Sequence, residues 1–392
     1  MGTLSLAARV TVAAAISVGL TATVSAEPGP DLHAYTAARF VPFANAGKGP
    51  NALTDPPKLS FLVRAPDGGA SRQFTMIMDT GTTGVVISAA DLPGYSAAGY
   101  PQGWEFLSSS KLLWVGHWIP RELAFLNASG NQLATAMVPV LVVETQYTCP
   151  RWSEQANQPT CAESQKTVTM PAGIAYMGVG FGREHDGQPQ GTPDKNPLLN
   201  LTAIDGQRIR PDTYRSGYII TRNGVHVGLS AANSHDFAWV ELRGRSLDKR
   251  GNPVSDDPRD WPQASMAVSV NGGPSQSGAV LIDTGIAQMY LTVSNPSQLP
   301  TQSVRNPSLE GAAATGLACG AEVTVSFPGV DRPVARYSFT VGDTTDEAAP
   351  SVVLVTHGAT PAFVNTGRHL LRDYDVGFDA EGGWLGFRKV VP

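Results

Sequence analysis

The sequence contains few of the residues that mark several common classes of protein. It has 3 cysteines in 392 residues, only 16% charged residues and a formal net charge of −5. So few cysteines exclude a small fold built on a framework of disulfides. The slightly acidic balance supplies no basic surface for nucleic acid or for an anionic membrane, so we expect no nucleic-acid partner.

Several motifs that carry chemistry are also missing. The chain has no C-x-x-C, H-E-x-x-H or G-x-S-x-G sequence, which removes the usual signatures of zinc sites and of serine hydrolases. The segment Gly178–Gly182 resembles half of a dinucleotide-binding fingerprint, but the Pro- and Gly-containing residues after it cannot begin a helix. We therefore expect no cofactor and no metal.

Long apolar runs are absent except at the N-terminus. Met1–Arg9 carries one positive charge, Val10–Val24 is apolar, and Val24-Ser25-Ala26 offers small residues for cleavage. A membrane anchor is the alternative, but the run is shorter than the roughly 20 residues that span a bilayer. We predict a signal peptide at residues 1–26 and a secreted protein, extracellular or periplasmic, without stable membrane insertion.

The cysteines agree with export. Cys149 and Cys161 lie in one polar loop, and we predict a disulfide between them in an oxidising compartment. Two free thiols are the alternative. Cys319 has no obvious partner and is predicted to be a small buried residue.

Short apolar runs bounded by turn residues recur along the chain and predict an all-β fold. The predicted strands are Leu59–Val63, Phe74–Met78, Val138–Val143, Gly217–Thr221, Met266–Val270, Val280–Ile282, Glu322–Phe327 and Val352–Thr356. A helical period is found only around Leu198–Ala203 and His369–Asp373, where we predict short helices.

Length and composition indicate two lobes. The 392 residues are enough for two cores, and 41 glycines with 30 prolines indicate many turns and much extended backbone. We predict an irregular leader at residues 27–57, an N-terminal lobe at 58–215 and a C-terminal lobe at 216–392. Asp248–Trp261 is predicted to be a loop early in the second half.

One tripeptide, Asp-Thr-Gly, occurs once in each predicted lobe. Asp79 follows the apolar run Met76–Met78, and Asp283 follows Val280–Ile282. A single copy is typical of a hairpin turn, in which Asp and Gly are favoured. Two copies in matching positions indicate a function, because two carboxylates held close together cannot both ionise at low cost and titrate as a unit. One can act as a base on a water molecule while the other protonates the carbonyl oxygen of a peptide bond.

These residues resemble the pepsin-like aspartic protease family. In that family each lobe carries Asp-Thr/Ser-Gly on a loop that is crossed by a later strand ending in two apolar residues and Gly. Tyr176-Met177-Gly178 resembles the crossing strand of the first lobe, and Phe363–Phe387 resembles the family's C-terminal turn, short helix and hairpin. The resemblance covers Leu59–Phe387 and is closest to the aspartic protease domains of mycobacterial PE-type surface proteins. It implies a bilobal fold with pseudo-two-fold lobes and a cleft between them.

The resemblance also implies roles for residues. Asp79 and Asp283 are the catalytic pair, with Asp79 ionised and Asp283 protonated. The residues that support this pair are Thr80, Gly81, Thr82, Thr284 and Gly285, through main-chain amides at the glycines and hydroxyls that bond across the two-fold axis. The implied substrate is an extended peptide or protein, bound by a monomer.

The chain departs from the family pattern at two places. Ile286 stands where the family has a small hydroxyl residue, and the predicted flap near Ser108–Leu113 has no Tyr-Gly-x-Gly motif. Trp104 or Trp114 could supply the missing flap contact or could equally be a core aromatic. The flap residues predicted here are Ser108, Ser109, Ser110 and Trp114. These departures leave a second function open, that of a non-catalytic binding or inhibitor-like protein with the same fold.

Overall fold

The computed structural model describes most of the chain after the predicted signal peptide. The described residues are 29–391 except for 48–50, 66–70, 93, 108–109, 154–155, 157, 181–190, 246, 248–250, 254, 310–311, 357 and 359–360. The signal peptide, Ser108 and Ser109 therefore lie outside the described residues. No helix in the described part of the chain has the length and hydrophobicity needed to cross a bilayer.

Strands make up nearly all of the regular structure. In chain order they are β1 Arg39–Pro42, β2 Lys58–Arg64, β3 Arg72–Asp79, β4 Thr83–Ser88, β5 Gln102–Leu107, β6 Leu112–Leu126, β7 Gln132–Thr148, β8 Lys166–Thr169, β9 Ala175–Val179, β10 Leu201–Ile204, β11 Gln207–Arg208, β12 Arg215–Ile220 and β13 Gly224–Leu229. They continue with β14 Ala238–Glu241, β15 Ala264–Val270, β16 Gln276–Leu281, β17 Met289–Thr292, β18 Thr301–Arg305, β19 Ala313–Leu317, β20 Glu322–Phe327, β21 Ala335–Thr340, β22 Val353–Val355, β23 Ala362–Asn365, β24 Tyr374–Asp379 and β25 Trp384–Lys389. Short 3-10 helices lie at Ala89–Asp91, Pro193–Lys195, Pro296–Gln298 and His369–Arg372.

The alternation of side chains explains why these segments are strands. In β2, Leu59, Phe61 and Val63 are buried while their neighbours are only partly covered, which is the period of two that a half-buried strand requires. Every apolar run that was predicted to be a strand contributes to one. The all-β prediction is confirmed.

The two helix predictions have different outcomes. The helix near His369–Asp373 is confirmed as a 3-10 helix. The helix at Leu198–Ala203 is wrong, because Leu201 begins β10, which pairs with Ala136 and its neighbours in β7. Sheet pairing, a long-range interaction, overrides the local apolar spacing there.

The leader is less irregular than the sequence suggests. Within residues 27–57, Arg39–Pro42 forms β1 and pairs along its whole length with β13. Its apolar Val41 is completely buried. The predicted lobe boundaries at 58–215 and 216–392 stay predictions, because β12 and β13 share a sheet with the C-terminal strands β24 and β25.

Two of the sheets repeat one arrangement of strands. The first contains the order β7-β4-β9-β3-β2-β6, and the second contains the order β22-β17-β23-β16-β15-β20. In each, the strand that leads to an Asp-Thr-Gly tripeptide (β3 or β16) is parallel to the later crossing strand (β9 or β23). The next strand (β4 or β17) is antiparallel to that crossing strand. This matched order confirms two pseudo-symmetric lobes.

A third sheet joins the two lobes. Its order is β1-β13-β12-β24-β25-β14. Phe387 of this sheet stacks on Phe327 of the second lobe, with ring centroids 4.6 Å apart. The hydroxyl of Tyr218 on β12 donates to the carbonyl oxygen of Val179 in the first lobe at 2.5 Å. One hydrophobic core therefore extends through all three sheets.

The cysteines divide as follows. Cys149 and Cys161 are disulfide-bonded, with Cα atoms 6.0 Å apart, so the predicted pairing is present. The closed loop packs on β5, where the rings of Trp152 and Phe106 stack at a centroid distance of 4.7 Å. The prediction for Cys319 is wrong: it is exposed, because it lies in the turn that precedes β20.

We expect the double substitution Cys149→Ser with Cys161→Ser to lower the free energy of unfolding by about 2–3 kcal/mol, because a short closed loop no longer restricts the unfolded chain. Equilibrium denaturation in urea measures this change. Cys319→Ser is the matched control and should leave the midpoint unchanged. Equal stability of the double variant and the control would show that the loop is held by packing alone.

Candidate active site

The crossing strands bring both Asp-Thr-Gly tripeptides to the junction of the two lobes. β3 ends at Asp79, which lies opposite Gly178 of the parallel strand β9. β16 ends at Leu281, opposite Asn365 of the parallel strand β23, and Asp283 follows two residues later. Both aspartates are buried, with 4% and 7% of their surfaces exposed. Two acidic groups thus lie side by side with little access to water.

The two threonines lock the loops together by reciprocal hydrogen bonds. The main-chain N–H of Thr80 donates to Oγ1 of Thr284 at 2.9 Å, and the N–H of Thr284 donates to Oγ1 of Thr80 at 3.0 Å. Each hydroxyl then donates to a carbonyl oxygen of the opposite lobe, Thr80 to Ile282 at 2.5 Å and Thr284 to Met78 at 2.7 Å. The arrangement satisfies buried polar groups on both sides and fixes the separation of the loops.

The glycines hold the inner carboxylate oxygens. Gly81 N–H donates to Oδ1 of Asp79 at 2.6 Å, and Gly285 N–H donates to Oδ1 of Asp283 at 2.9 Å. Gly285 N–H also lies 3.1 Å from Oδ1 of Asp79. A Cβ atom on Gly81 would lie 2.6 Å from the carboxyl carbon of Asp283, and one on Gly285 would lie 2.6 Å from that of Asp79. Only glycine permits this close approach of the two loops.

The outer carboxylate oxygens bind side chains that the sequence did not indicate for this role. The hydroxyl of Tyr176 on β9 hydrogen-bonds to Oδ2 of Asp79. The amide Nδ2 of Asn365 on β23 donates to Oδ2 of Asp283 at 2.7 Å. Each residue lies two positions before a glycine, Gly178 within β9 and Gly367 just after β23. The patterns Tyr-Met-Gly and Asn-Thr-Gly were therefore the available signal.

Thr82 is buried close to the crossing strand, but it does not hold Asp79. Its Oγ1 atom has no hydrogen-bond partner among the described residues. Ile286 contributes its main-chain oxygen, which accepts the N–H of Arg368 at 3.0 Å. The positions after each Asp-Thr-Gly therefore supply no hydroxyl to the carboxylates, and Tyr176 and Asn365 take their place.

The predicted flap corresponds to the hairpin of β5 and β6. Ser110 lies in the turn between these strands, next to Ser108 and Ser109, which are outside the described residues. Trp114, on β6, is buried and meets the ring of Tyr176 edge-on, with centroids 6.0 Å apart. Its indole N–H donates to Oε1 of Gln146 at 2.8 Å. Trp114 therefore links the hairpin to the tyrosine that contacts Asp79.

Trp104 lies on the other side of the same hairpin. It is half-buried against the cluster that surrounds the disulfide loop. Of the two tryptophans considered for the flap, Trp114 is the one that contacts Tyr176.

Two buried arginines lie behind the second Asp-Thr-Gly loop and hold the leader. Arg368 donates to the carbonyl oxygens of Leu53 and Thr54 at 3.0 and 2.8 Å, and Arg372 donates to that of Ala52 at 2.9 Å. Burial lowers the pKa of Arg368, and the carboxylates of Asp55, Asp283 and Asp79 act in the opposite direction. The positive charge of Arg368 is therefore part of the electrostatic surroundings of the acidic pair.

Comparisons with known proteins give a limited result. No protein-family model and no curated protein sequence matches the chain. Among solved structures, the chain is similar to an aspartic proteinase from Irpex lacteus, with a TM-score of 0.47 and 11% identity over 90% of this chain and 98% of that one. At these values the likeness carries no argument about activity.

The sequence predicts a pepsin-like, bilobal fold. The matched order of strands in the two sheets agrees with that prediction. Nothing in the comparisons supports the narrower resemblance to mycobacterial PE-type proteins.

Proposed function

We propose that this protein is a secreted aspartic endopeptidase, in which Asp79 and Asp283 activate a water molecule for peptide-bond hydrolysis. The observation that carries the proposal is one shared donor. The N–H of Gly285 lies within hydrogen-bonding distance of the inner oxygens of both aspartates, at 3.1 and 2.9 Å. Two buried carboxyl groups that share a donor are close enough to share a single proton.

The shared proton supplies the chemistry. The ionised aspartate removes a proton from water as the water oxygen forms a bond to the peptide carbonyl carbon. The protonated aspartate gives its proton to the carbonyl oxygen, and a tetrahedral diol results. A proton then passes to the peptide nitrogen, the C–N bond breaks, and a carboxylic acid and an amine leave.

The proposed substrate is an extended peptide or an unfolded protein. The acidic pair lies where two β lobes meet, and a strand-like segment can bind there by main-chain hydrogen bonds with side chains in pockets. We propose that the enzyme acts as a monomer and needs no cofactor.

A second candidate function is a non-catalytic binding protein with the same fold. The contact that favours a binding protein is the hydrogen bond from the hydroxyl of Tyr176 to the outer oxygen of Asp79. This bond directs the oxygen to a residue of its own lobe and not to a water molecule or a substrate. Such a protein would bind peptides without cleaving them.

Cleavage of an unfolded protein at pH 3–7 tests the first proposal against the second. We expect cleavage that is abolished by a statine-type inhibitor, whose hydroxyl stands in for the attacking water. We also expect the inhibitor to raise the Tm of the protein, because a ligand that binds only the folded state stabilises it. A rise in Tm without cleavage at any pH would support the binding protein. Cleavage that the inhibitor does not affect would exclude the proposed mechanism.

A further inference from the structure

The strand that follows each Asp-Thr-Gly tripeptide places a side chain next to the residue that contacts the aspartate. In the first lobe Val86 of β4 lies opposite Tyr176, and in the second lobe Tyr290 of β17 lies opposite Asn365. Residues directly opposite each other in antiparallel strands project from the same face of a sheet. The two pairs therefore mark equivalent faces of the two lobes, those that carry the contacts on the aspartates.

In the first lobe this face is apolar. Val86 is completely buried, and Tyr176 packs against the cluster to which Val86 belongs. The other buried members of that cluster are Trp114, Trp118, Leu141, Val143 and Ile174. A substrate side chain that lies against the first lobe therefore meets mainly aromatic rings and hydrocarbon.

In the second lobe the same face carries three polar side chains, Gln288, Tyr290 and Ser308, which we call the polar cluster. Gln288 is buried, with only 4% of its surface exposed. Its amide Nε2 donates to the hydroxyl of Tyr290 at 3.3 Å and to Oγ of Ser308. The hydroxyl of Tyr290 donates in turn to Oγ of Ser308 at 3.4 Å. The three groups therefore form a closed set of hydrogen bonds that ends on Ser308.

The polar cluster is held close to the second aspartate. A Cβ atom on Gly367 would lie 2.5 Å from the main-chain oxygen of Gln288, so the cluster packs against the turn that follows Asn365. Ser308 lies in the turn between β18 and β19, a hairpin that follows β17 as the β5–β6 hairpin follows β4. The N–H of Ser308 donates to Oδ1 of Asn306 at 2.9 Å, which fixes this turn.

The hydroxyl of Ser308 has one hydrogen-bonding capacity left. A serine hydroxyl carries one hydrogen and two lone pairs. Both lone pairs accept hydrogen bonds, from Gln288 and from Tyr290, so the hydrogen must be donated elsewhere. Within the described part of the chain no acceptor for this hydrogen is found, and Ser308 is partly exposed. A donor of fixed position thus faces the solvent side of the cluster.

We propose that Ser308 recognises the substrate by donating this hydrogen bond to a side-chain oxygen of a residue near the scissile bond. Successive side chains of an extended peptide point in opposite directions, so alternate residues of the substrate face the second lobe. The inference rests on the proposed function and deepens it by naming a substrate class, peptides with a hydroxyl, amide or carboxylate oxygen at such a position. Gln288 and Tyr290 are positioning residues, because they act through Ser308.

Matched peptides test this preference. Thr and Val have nearly the same shape but differ in the hydroxyl, and each is placed in turn at the two residues on either side of the cleaved bond. We expect kcat/KM to be about tenfold higher for Thr than for Val at one or more of these positions, because a site that hydrogen-bonds to a substrate discriminates against the analogue that lacks the group. Lys there, which has no acceptor, should be no better than Val.

Variants of Ser308 connect the preference to the polar cluster. Ser308→Ala should bring the ratio of kcat/KM for the Thr and Val peptides close to one, whereas Ser308→Thr, which keeps the hydroxyl, should retain the ratio. The matched control is Ser294→Ala, because the hydroxyl of Ser294 donates to Oε1 of Gln276 at 2.9 Å elsewhere in the same lobe. This control should leave the ratio unchanged. Since both peptides are measured on one preparation, a partial loss of folded protein does not alter the ratio.

The ratio decides the outcome. Equal kcat/KM for Thr and Val at every position tested would overturn the proposal, as would a ratio that Ser308→Ala leaves unchanged or that Ser294→Ala lowers equally. Failure of the proposed function is a different result, namely no inhibitor-sensitive cleavage of any peptide by the wild-type protein. The ratio of the Kd values of the two peptides then replaces the kinetic ratio, and the same expectations apply to it.

Discussion

Replacing Asp283 with Asn is expected to lower kcat/KM about a thousandfold at every pH between 3 and 7, because the amide can neither remove a proton from water nor supply one. The substitution preserves the shape of the side chain, so the bond from Gly285 can remain. Asp79→Asn should cause a loss of similar size, since both carboxyl groups are needed for one proton to be shared. Hydrolysis of an unfolded protein, followed as new amino termini, measures the loss.

The control for this pair is an aspartate that is exposed. Asp236 lies in a turn at a φ of 61°, a conformation that Asn also adopts readily, so Asp236→Asn should retain wild-type activity. Equal rates for Asp283→Asn and wild type would refute the peptidase. A large loss of activity in Asp236→Asn would show that the measured rate reflects differences between protein preparations and not the loss of a catalytic carboxyl group.

The fold was predictable where local pattern and tertiary packing agree. The alternation in Leu59–Val63 is visible in the sequence, and the same alternation separates buried from partly exposed side chains in β2. Leu198–Ala203 shows the opposite case, because an apolar spacing that suits a helix is satisfied instead by pairing with β7. The strand β1 was missed for a related reason: Arg39–Pro42 contains only one fully buried apolar residue, and its partner β13 lies far along the chain.

The sequence predicted the part of the candidate site that the two Asp-Thr-Gly tripeptides form. Asp79 and Asp283 come together because the threonine of each tripeptide bonds to the opposite loop, while the glycine of each tripeptide holds the inner oxygen of its own aspartate. The outer contacts were not predicted: two short patterns mark Tyr176 and Asn365, but these residues reach the aspartates only through strand pairing over 97 and 82 residues. The absence of a hydroxyl at Ile286 therefore does not leave Asp283 without an outer donor.

The remaining large effect concerns the spacing of the two carboxyl groups. Gly285 approaches Asp79 so closely that an added Cβ atom would lie 2.6 Å from its carboxyl carbon, well inside van der Waals contact. Asp79 cannot retreat easily, because Gly81 and Tyr176 hold its two oxygens. A methyl group at Gly285 must therefore push the loops apart and displace the shared donor from one of the aspartates.

We accordingly expect Gly285→Ala to lower kcat at least about a hundredfold, the loss that a displacement of roughly 1 Å at reacting groups produces. The protein should still fold, because the hydrophobic core that extends through the three sheets is unchanged. Gly329→Ala is the matched control, since a Cβ atom there meets nothing within 4 Å. Steady-state kinetics on a short peptide, with Tm measured for each variant, separate the two effects. Activity of Gly285→Ala within threefold of the control would mean that the aspartates need not be held as close as this structure places them.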